Sequence, residues 1–144
     1  MNALAAAALA AGELICEFDD AHRRSVLAGM AGDAPRSELV LVYEALRARS
    51  AEVLSTRHPG RRPVLVRAGA ASLHLIQSVG PSVRVTTLTE CLRTQSRGDG
   101  EVCTRFAAVH AWHFDATVYS DPDAAFARLP SGAATGSCEP WRID

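Results

Sequence analysis

The sequence contains no lysine: all fifteen basic residues are arginines, and with sixteen acidic residues they leave a net charge of −1. This arginine usage is typical of GC-rich coding. A chain so close to neutral has no overall attraction to nucleic acid or to an anionic membrane. It also has no apolar run of the ~20 residues that cross a bilayer. We therefore expect no nucleic-acid partner and no membrane span.

Several motifs that carry chemistry are also missing. There is no C-x-x-C pair, which argues against thiol redox catalysis and zinc ribbons. There is no G-x-S-x-G nucleophile elbow, no phosphate-cradling glycine loop and no recognisable pair of glycosidase carboxylates. We expect no cofactor and no metal, and the sequence favours a protein that is not an enzyme.

The chain has 144 residues and is 48% hydrophobic, which suits a single globular domain. Its first residues, MNALAAAALAAG, resemble the apolar part and the A-x-A cleavage site of a secretory signal. The basic region that normally precedes such a segment is missing, so an alanine helix on a cytoplasmic protein is the alternative. We expect residues 1–11 to be a signal-peptide remnant and residues 12–144 to be the domain.

The chain has four cysteines, and an even number is typical of disulfide-bonded proteins in oxidising compartments. Cys91 and Cys103 flank one turn and are the first predicted disulfide. Cys16 and Cys138 then form the second, which is one of three possible pairings. Together with the signal-like segment, the cysteines predict a periplasmic or secreted protein.

Most of the chain has the pattern of an antiparallel β-meander. ELICEF (13–18) alternates as a first strand, and 38–46 is either a strand buried on both faces or a helix. From Ala51, strand-like segments recur about every 10–12 residues. Turns are predicted at His58 to Arg61, around Gly69 and at Gly80-Pro81. This spacing predicts an all-β, lipocalin-like barrel of about eight strands.

Three segments have less regular patterns. Residues 19–37 contain either a short helix or an edge strand. Asp121-Pro122 is a typical start for one short C-terminal helix that ends at Leu129. Residues 131–144, SGAATGSCEPWRID, predict a polar tail that Cys138 and Trp141 anchor.

The stretch from Ser82 to Tyr119 organises the barrel as a long hairpin around the turn QSRGDG. A register centred on Arg97 places Cys91 opposite Cys103, where a disulfide is readily formed. The same register pairs Leu88 with Phe106, Thr89 with Arg105 and Leu92 with Val102. Loop closure by this disulfide predicts a stabilisation of roughly 2–3 kcal/mol.

The segment AVHAWHFD (108–115) holds the most suggestive polar residues. On a strand, His110 shares one face with Trp112 and Phe114, whereas His113 shares the other face with Asp115 and Tyr119. The two histidines then point apart, which disfavours a metal site that uses both. His113 and Asp115, with Tyr119 or His110, remain candidates for acid–base catalysis.

The candidate ligand-binding residues lie on several strands. Trp112 and Phe114 offer apolar contact area, and His74 is a candidate interior or rim residue. Arg57 and Arg62, which cluster with Arg61 and Arg67, are either a solvated loop or an anion site.

VRVTTLTE, a glycine-rich hairpin and FAAVHAWHFD together resemble a pattern in small exported bacterial β-domains. The shared features are an early cysteine, a Thr-Thr pair and an A-V-H-x-x-H strand end, here Cys16, Thr86, Thr87, Ala108, Val109, His110 and His113. The function of these domains is not established, so the resemblance implies fold and export alone. The layout is more distantly similar to the barrels of periplasmic lysozyme inhibitors, although their tryptophan-rich inhibitory loop has no counterpart here.

These patterns lead to three hypotheses of function. The first is a non-enzymatic exported module that binds a small apolar ligand or a partner protein of the envelope. The second is a barrel enzyme with a His/Asp acid–base pair in its cavity. The third is a structural envelope or assembly protein.

Overall fold

The structure of the protein, a computed structural model, describes residues 1–19, 38–55, 58–79, 82–114 and 132–141. The described elements are one helix and eight strands. Their bounds are α1 Ala3–Ala11, β1 Leu14–Asp19, β2 Glu38–Glu44, β3 Ser50–Ser55, β4 His58–Ala68, β5 Leu73–Val79, β6 Ser82–Arg97, β7 Gly100–Phe114 and β8 Gly132–Pro140.

The eight strands form a closed antiparallel barrel in which each strand pairs with the next along the chain. Pairing of β1 with β8 closes the sheet, so Cys16 lies directly opposite Cys138. These two cysteines form a buried disulfide across the seam. The predicted all-β barrel of about eight strands is therefore confirmed, and so is the predicted pairing of the four cysteines.

Strand alternation separates an inner from an outer face. Within the barrel, alternate residues of the strands point inward, and the buried side chains form one core, whereas residues 89–102 at the β6–β7 hairpin end are exposed. The larger members of this core are Leu14, Phe18, Leu41, Tyr43, Val53, Val66, Leu73, Leu75, Leu88 and Phe106. Residues 38–44 form strand β2, which decides between the two alternatives that the sequence left open.

The helix α1 covers one end of the barrel. The Asn2 side chain caps the helix and also donates to the carbonyl oxygens of Gly69 and Ser72 in the β4–β5 turn. At the other helix end, the Gly12 carbonyl accepts from the Leu46 N–H after β2. Ala5 and Ala8 are fully buried in the core. Alanine favours the helix and its small side chain permits this close packing, so α1 lies across the barrel end as a plug.

The predictions at the two termini have different outcomes. The predicted C-terminal helix, 122–129, lies outside the described residues, and the helix that the structure describes is α1 near the N-terminus. The polar tail predicted for 131–144 is wrong because Gly132–Pro140 forms β8, the strand that closes the barrel. The cleavage of residues 1–11 stays a prediction. No helix in the described ranges is both long and apolar enough to cross a membrane.

The predicted turn at His58 to Arg61 is also wrong. These residues begin β4, and Ser55 pairs with His58. Gly60 has a φ of 82° within the strand, and the β3–β4 register shifts between Val53 and Ser55. The glycine therefore marks a local irregularity in a strand rather than its end. The other predicted turns are at Gly69, where its N–H donates to the Ser72 carbonyl, and at residues 80–81, which lie outside the described residues.

The hairpin of β6 and β7 has the predicted disulfide but not the predicted register. Arg97 pairs with Gly100, so the turn is Gly98-Asp99, and Gly98 has a φ of 57°. Three register shifts in the ladder move Cys91 opposite Phe106 and Cys103 opposite Thr94. The disulfide therefore joins the strands diagonally, with the two Cα atoms 6.0 Å apart.

Candidate functional site

The character of the barrel interior changes along its axis. Three successive rows cross β5 to β8 at inward-facing positions. Nearest α1 the row is Leu73, Leu88, Ala108 and Gly136; the middle row is Leu75, Thr86, His110 and Ala134; and the last is Gln77, Arg84, Trp112 and Gly132. We call the last of these the mouth row. The interior is thus apolar beside α1 and becomes polar and aromatic toward the opposite end.

The middle row contains a buried chain of hydrogen bonds. The Tyr43 hydroxyl lies 2.6 Å from the Thr86 hydroxyl, which lies 2.9 Å from Nδ1 of His110. Tyr43 and Thr86 are fully buried, and His110 is 1% exposed. A buried polar group that lacked such partners would cost about 1–3 kcal/mol. The chain therefore fixes the orientation of the His110 ring inside the barrel.

Burial raises the pKa of the Tyr43 phenol above its ordinary value, and the hydrogen bond with Thr86 offsets part of this rise. Above about pH 10, Tyr43 of the unfolded chain ionises while the folded phenol stays protonated. The free energy of unfolding should then fall by about 1.4 kcal/mol per pH unit through this group. Urea unfolding across this range should show a smaller decline for Tyr43→Phe, and parallel declines would contradict the assignment.

Aromatic rings form a continuous surface beside this chain. The ring centroids of Phe18 and His110 are 5.3 Å apart, and those of His110 and Trp112 are 6.0 Å apart. A Cβ atom at Gly132 would lie 2.5 Å from the Trp112 indole. The indole therefore packs directly against Gly132 of β8, where the absence of a side chain makes room for it.

The mouth row combines this aromatic surface with strongly polar groups. Gln77 is 5% exposed although its side chain carries two donors and an acceptor. Arg84 is half-buried, and its Nε atom is shielded from solvent. A ligand that contacted Trp112 would therefore also meet an amide and a guanidinium.

The structure brings together only some of the predicted site residues. His110 and Trp112 share the inner face, and their rings form part of the aromatic surface. The backbones of His113 and Phe114 belong to β7, but their side chains are not described. Asp115, Tyr119 and Arg57 lie outside the described residues, so acid–base catalysis by His113 and Asp115 stays a prediction.

The other candidates lie apart from Trp112. His74 alternates with the buried Leu73 and Leu75, so it lies on the outer face, where its ring bonds to the hydroxyls of Ser72 and Thr87. Arg62 pairs with the buried Val53, is half-buried and borders an open groove of about 470 Å³.

That groove is also lined by Arg61, which takes part in ion pairs. Its Nε donates to Glu44 at 2.9 Å and lies 3.8 Å from a carboxylate oxygen of Glu52. These carboxylates offset the positive charge of Arg61, which weakens the prediction of an anion site at this turn.

Tyr43, Gln77 and Arg84 were missed as site residues by the sequence analysis. The available signal was phase: Gln77 and Arg84 occupy the same alternating positions as the core residues of their strands. A polar residue at a position where the alternation predicts a core residue is a stronger sign of a functional site than an apolar residue there. No sequence signal placed Tyr43 beside Thr86, since these residues are 43 positions apart.

The described residues offer no metal site. Within these ranges, no three His, Cys, Asp or Glu residues come together in a way that could hold an ion.

Comparisons of the chain with protein-family models, curated proteins and solved structures found no match. The resemblance to exported β-domains therefore stays a prediction.

Proposed function

We propose that this protein is a non-enzymatic, exported binding module that holds a small, largely apolar ligand inside its barrel, as lipocalins do. The observation that carries the proposal is the aromatic surface of Phe18, His110 and Trp112 beside the mouth row. Small barrels either fill their interior with side chains or leave room for one ligand. The end beside α1 is filled by leucines, and we propose that the ligand occupies the end beside Trp112.

The position of α1 gives the direction of ligand entry. α1 buries Ala5 and Ala8 in the core and bonds to two turns at its own end of the barrel. The fully buried leucines of the first row lie next to it. A ligand would thus enter at the opposite end and meet Trp112 first.

The buried polar chain supports binding rather than catalysis. Tyr43 stays protonated because burial raises its pKa, and its hydroxyl is engaged by Thr86. His110 is held at Nδ1 and packs between two aromatic rings. Hydrogen bonds of this kind hold the three side chains in fixed orientations, as the wall of a ligand-binding site requires.

Two disulfides support the proposal of export. Disulfides persist mainly in periplasmic and extracellular compartments. One of them joins the first and last strands, so the barrel would depend on an oxidising compartment. We propose that the protein acts in the periplasm or outside the cell.

The fluorescence of Trp112 can report ligand binding once the second tryptophan is replaced. The chain has two tryptophans, and Trp141 is 45% exposed at the α1 end of the barrel. Trp141→Phe therefore leaves Trp112 as the single tryptophan, whose emission can be excited apart from that of the two tyrosines. We expect a panel of small naphthyl and alkyl alcohols and carboxylates to shift or quench Trp112 emission in a saturable manner.

Gly132→Ala in this background supplies a local control. The added methyl group would collide with the Trp112 indole, so we expect weaker binding of the same probes. Gly100→Ala, which meets no atom within 4 Å, should bind them normally. If no probe binds to any of these proteins, ligand binding is refuted, and a partner protein or a structural role becomes the better hypothesis.

A further inference from the structure

The hairpin of β6 and β7 extends beyond the barrel as a two-stranded ribbon. The β5–β6 ladder ends at Leu88, and the β7–β8 ladder begins at Phe106. We call residues 89–105, which lie past both of these ladders, the arm. Residues 89–102 of the arm are exposed. Among the described strands, each arm strand therefore has a neighbour on one side only.

The unpaired edges of the arm can accept a further strand. An unpaired strand edge presents a row of backbone N–H and C=O groups, which is a template for pairing. An isolated two-stranded hairpin is also marginally stable in water, so an added strand stabilises it. The disulfide between Cys91 and Cys103 already holds the two arm strands together. Because the edge is ordered in advance, less conformational entropy is lost when another strand pairs with it.

The two edges of the arm differ in their charged residues. On the β7 edge, Nε of Arg105 lies 3.9 Å from a carboxylate oxygen of Glu139. On the β6 edge, Glu90 and Arg97 lie at opposite ends of the free segment, and neither forms an ion pair with another described residue. The β6 edge therefore carries one charge of each sign for a partner strand.

Glu90 and Arg97 lie on the same face of the arm. Glu90 pairs with Ala107, and Arg93 pairs with Arg105, which is two positions away from Ala107 along β7. Directly opposed residues share a face, so Glu90 and Arg93 lie on one face despite the register shift between them. Arg97 is four positions after Arg93 along β6 and lies on that face too.

From this placement we infer that the partner of the arm is a second copy of the chain, whose β6 edge pairs antiparallel with that of the first. A twofold axis beside Thr94 relates the two arms. In this register, Glu90 of each copy lies opposite Arg97 of the other. Opposite charges directly across a ladder stabilise it, and the symmetry supplies two such pairs.

The length of the free edge fits this register. Glu90 lies at the base of the arm, close to the barrel, and Arg97 is the last residue before the turn. When both copies use residues 90–97, the turn of each arm reaches the base of the other, and pairing ends where β5 occupies the edge of β6. The two arms then form one sheet of four strands. An interface of one short ladder is small, so we expect a weak dimer that depends on concentration.

Charge reversal tests this pairing. Sedimentation velocity of the parent protein over about 10–500 µM should show a reversible monomer–dimer equilibrium. Glu90→Arg and Arg97→Glu each place like charges opposite one another twice, so each should weaken the dimer about tenfold or more. Glu17→Arg makes the same charge change at an exposed position of β1, outside the arm, and should dimerise as the parent does.

A mixture of the two arm variants gives the sharpest result. In a mixed dimer of Glu90→Arg with Arg97→Glu, both opposed pairs again join opposite charges. The mixture should therefore associate about as tightly as the parent protein, although each variant alone associates weakly. Only an antiparallel pairing that brings position 90 of one copy opposite position 97 of the other predicts this recovery.

Each of the other outcomes refutes the inference. A parent protein that stays monomeric over the whole range shows that the arms do not pair. If Glu90→Arg associates as well as the parent, the copies meet at another surface. If the mixture associates no better than either variant alone, the twofold register is wrong. The ligand probes test the proposed function separately, since pairing of the arms does not depend on ligand binding.

Discussion

Removal of the disulfide between Cys16 and Cys138 is expected to lower the free energy of unfolding by about 5 kcal/mol. The disulfide joins residues 122 positions apart, and the chain-entropy estimate for a closed loop of this length is ~5 kcal/mol. Small domains have a total stability of about 5–15 kcal/mol. The double variant Cys16→Ala/Cys138→Ala should therefore be marginally folded or unfolded.

The second disulfide provides the matched control. Cys91 and Cys103 are 12 positions apart, and the same estimate gives about 3 kcal/mol for their loop. Cys91 is exposed on the hairpin, whereas Cys16 and Cys138 are both fully buried at the seam. Cys91→Ala/Cys103→Ala should thus keep a cooperative unfolding transition.

Urea unfolding without reductant measures both double variants against the parent protein. Addition of a strong reductant should bring the parent down to the stability of the variant that lacks both disulfides. If Cys16→Ala/Cys138→Ala loses no more stability than Cys91→Ala/Cys103→Ala, the pairing of β1 with β8 does not depend on the disulfide that joins them.

A single methyl group at position 136 should destabilise the barrel by about 3 kcal/mol, at the upper end for overpacking. Gly136 lies in β8 between Phe18 of β1 and Ala108 of β7. A Cβ atom there would overlap the backbone of Glu17 and Phe18. Backbone atoms cannot rotate away as a flexible side chain can, so the β1–β8 ladder would have to separate.

Gly100→Ala is the matched control for Gly136→Ala. Both glycines are strand residues without a positive φ, and a Cβ atom at Gly100 meets nothing within 4 Å. Thermal and urea unfolding should show Gly136→Ala strongly destabilised and Gly100→Ala close to the parent protein. Equal stability of the two variants would show that β1 and β8 approach less closely than the structure has them.

Part of the candidate site was predictable from local pattern. The alternation in AVHAWHFD placed His110 and Trp112 on one face, and the structure brings their rings within 6.0 Å. A period of two residues is a local property of a strand, so it can be read from a few residues. The partners of His110 could not be read in this way, since Tyr43 and Thr86 come from other strands.

The strand β8 shows why the rest of the fold was hidden. Its sequence, GAATGSCEP, is rich in small residues with low strand preference, and it resembles a polar tail. Small residues are needed there because Gly136 meets the backbone of β1 and Gly132 lies beneath the Trp112 indole. These small residues are required by contacts with distant strands, and such contacts cannot be predicted from the local sequence pattern.

By itself, the sequence determined the all-β architecture and favoured the Cys91–Cys103 disulfide, because alternation, turn residues and the position of two cysteines around one turn are local features. The pairing of Cys16 with Cys138 was one of three possibilities in the sequence, and the closed barrel decides it. Only the tertiary structure decided the bulged hairpin register, the closure by β8, the plug formed by α1 and the charged mouth row. Each of these depends on which strand lies beside which. Barrel closure sets that relation through contacts between residues that are far apart in the chain.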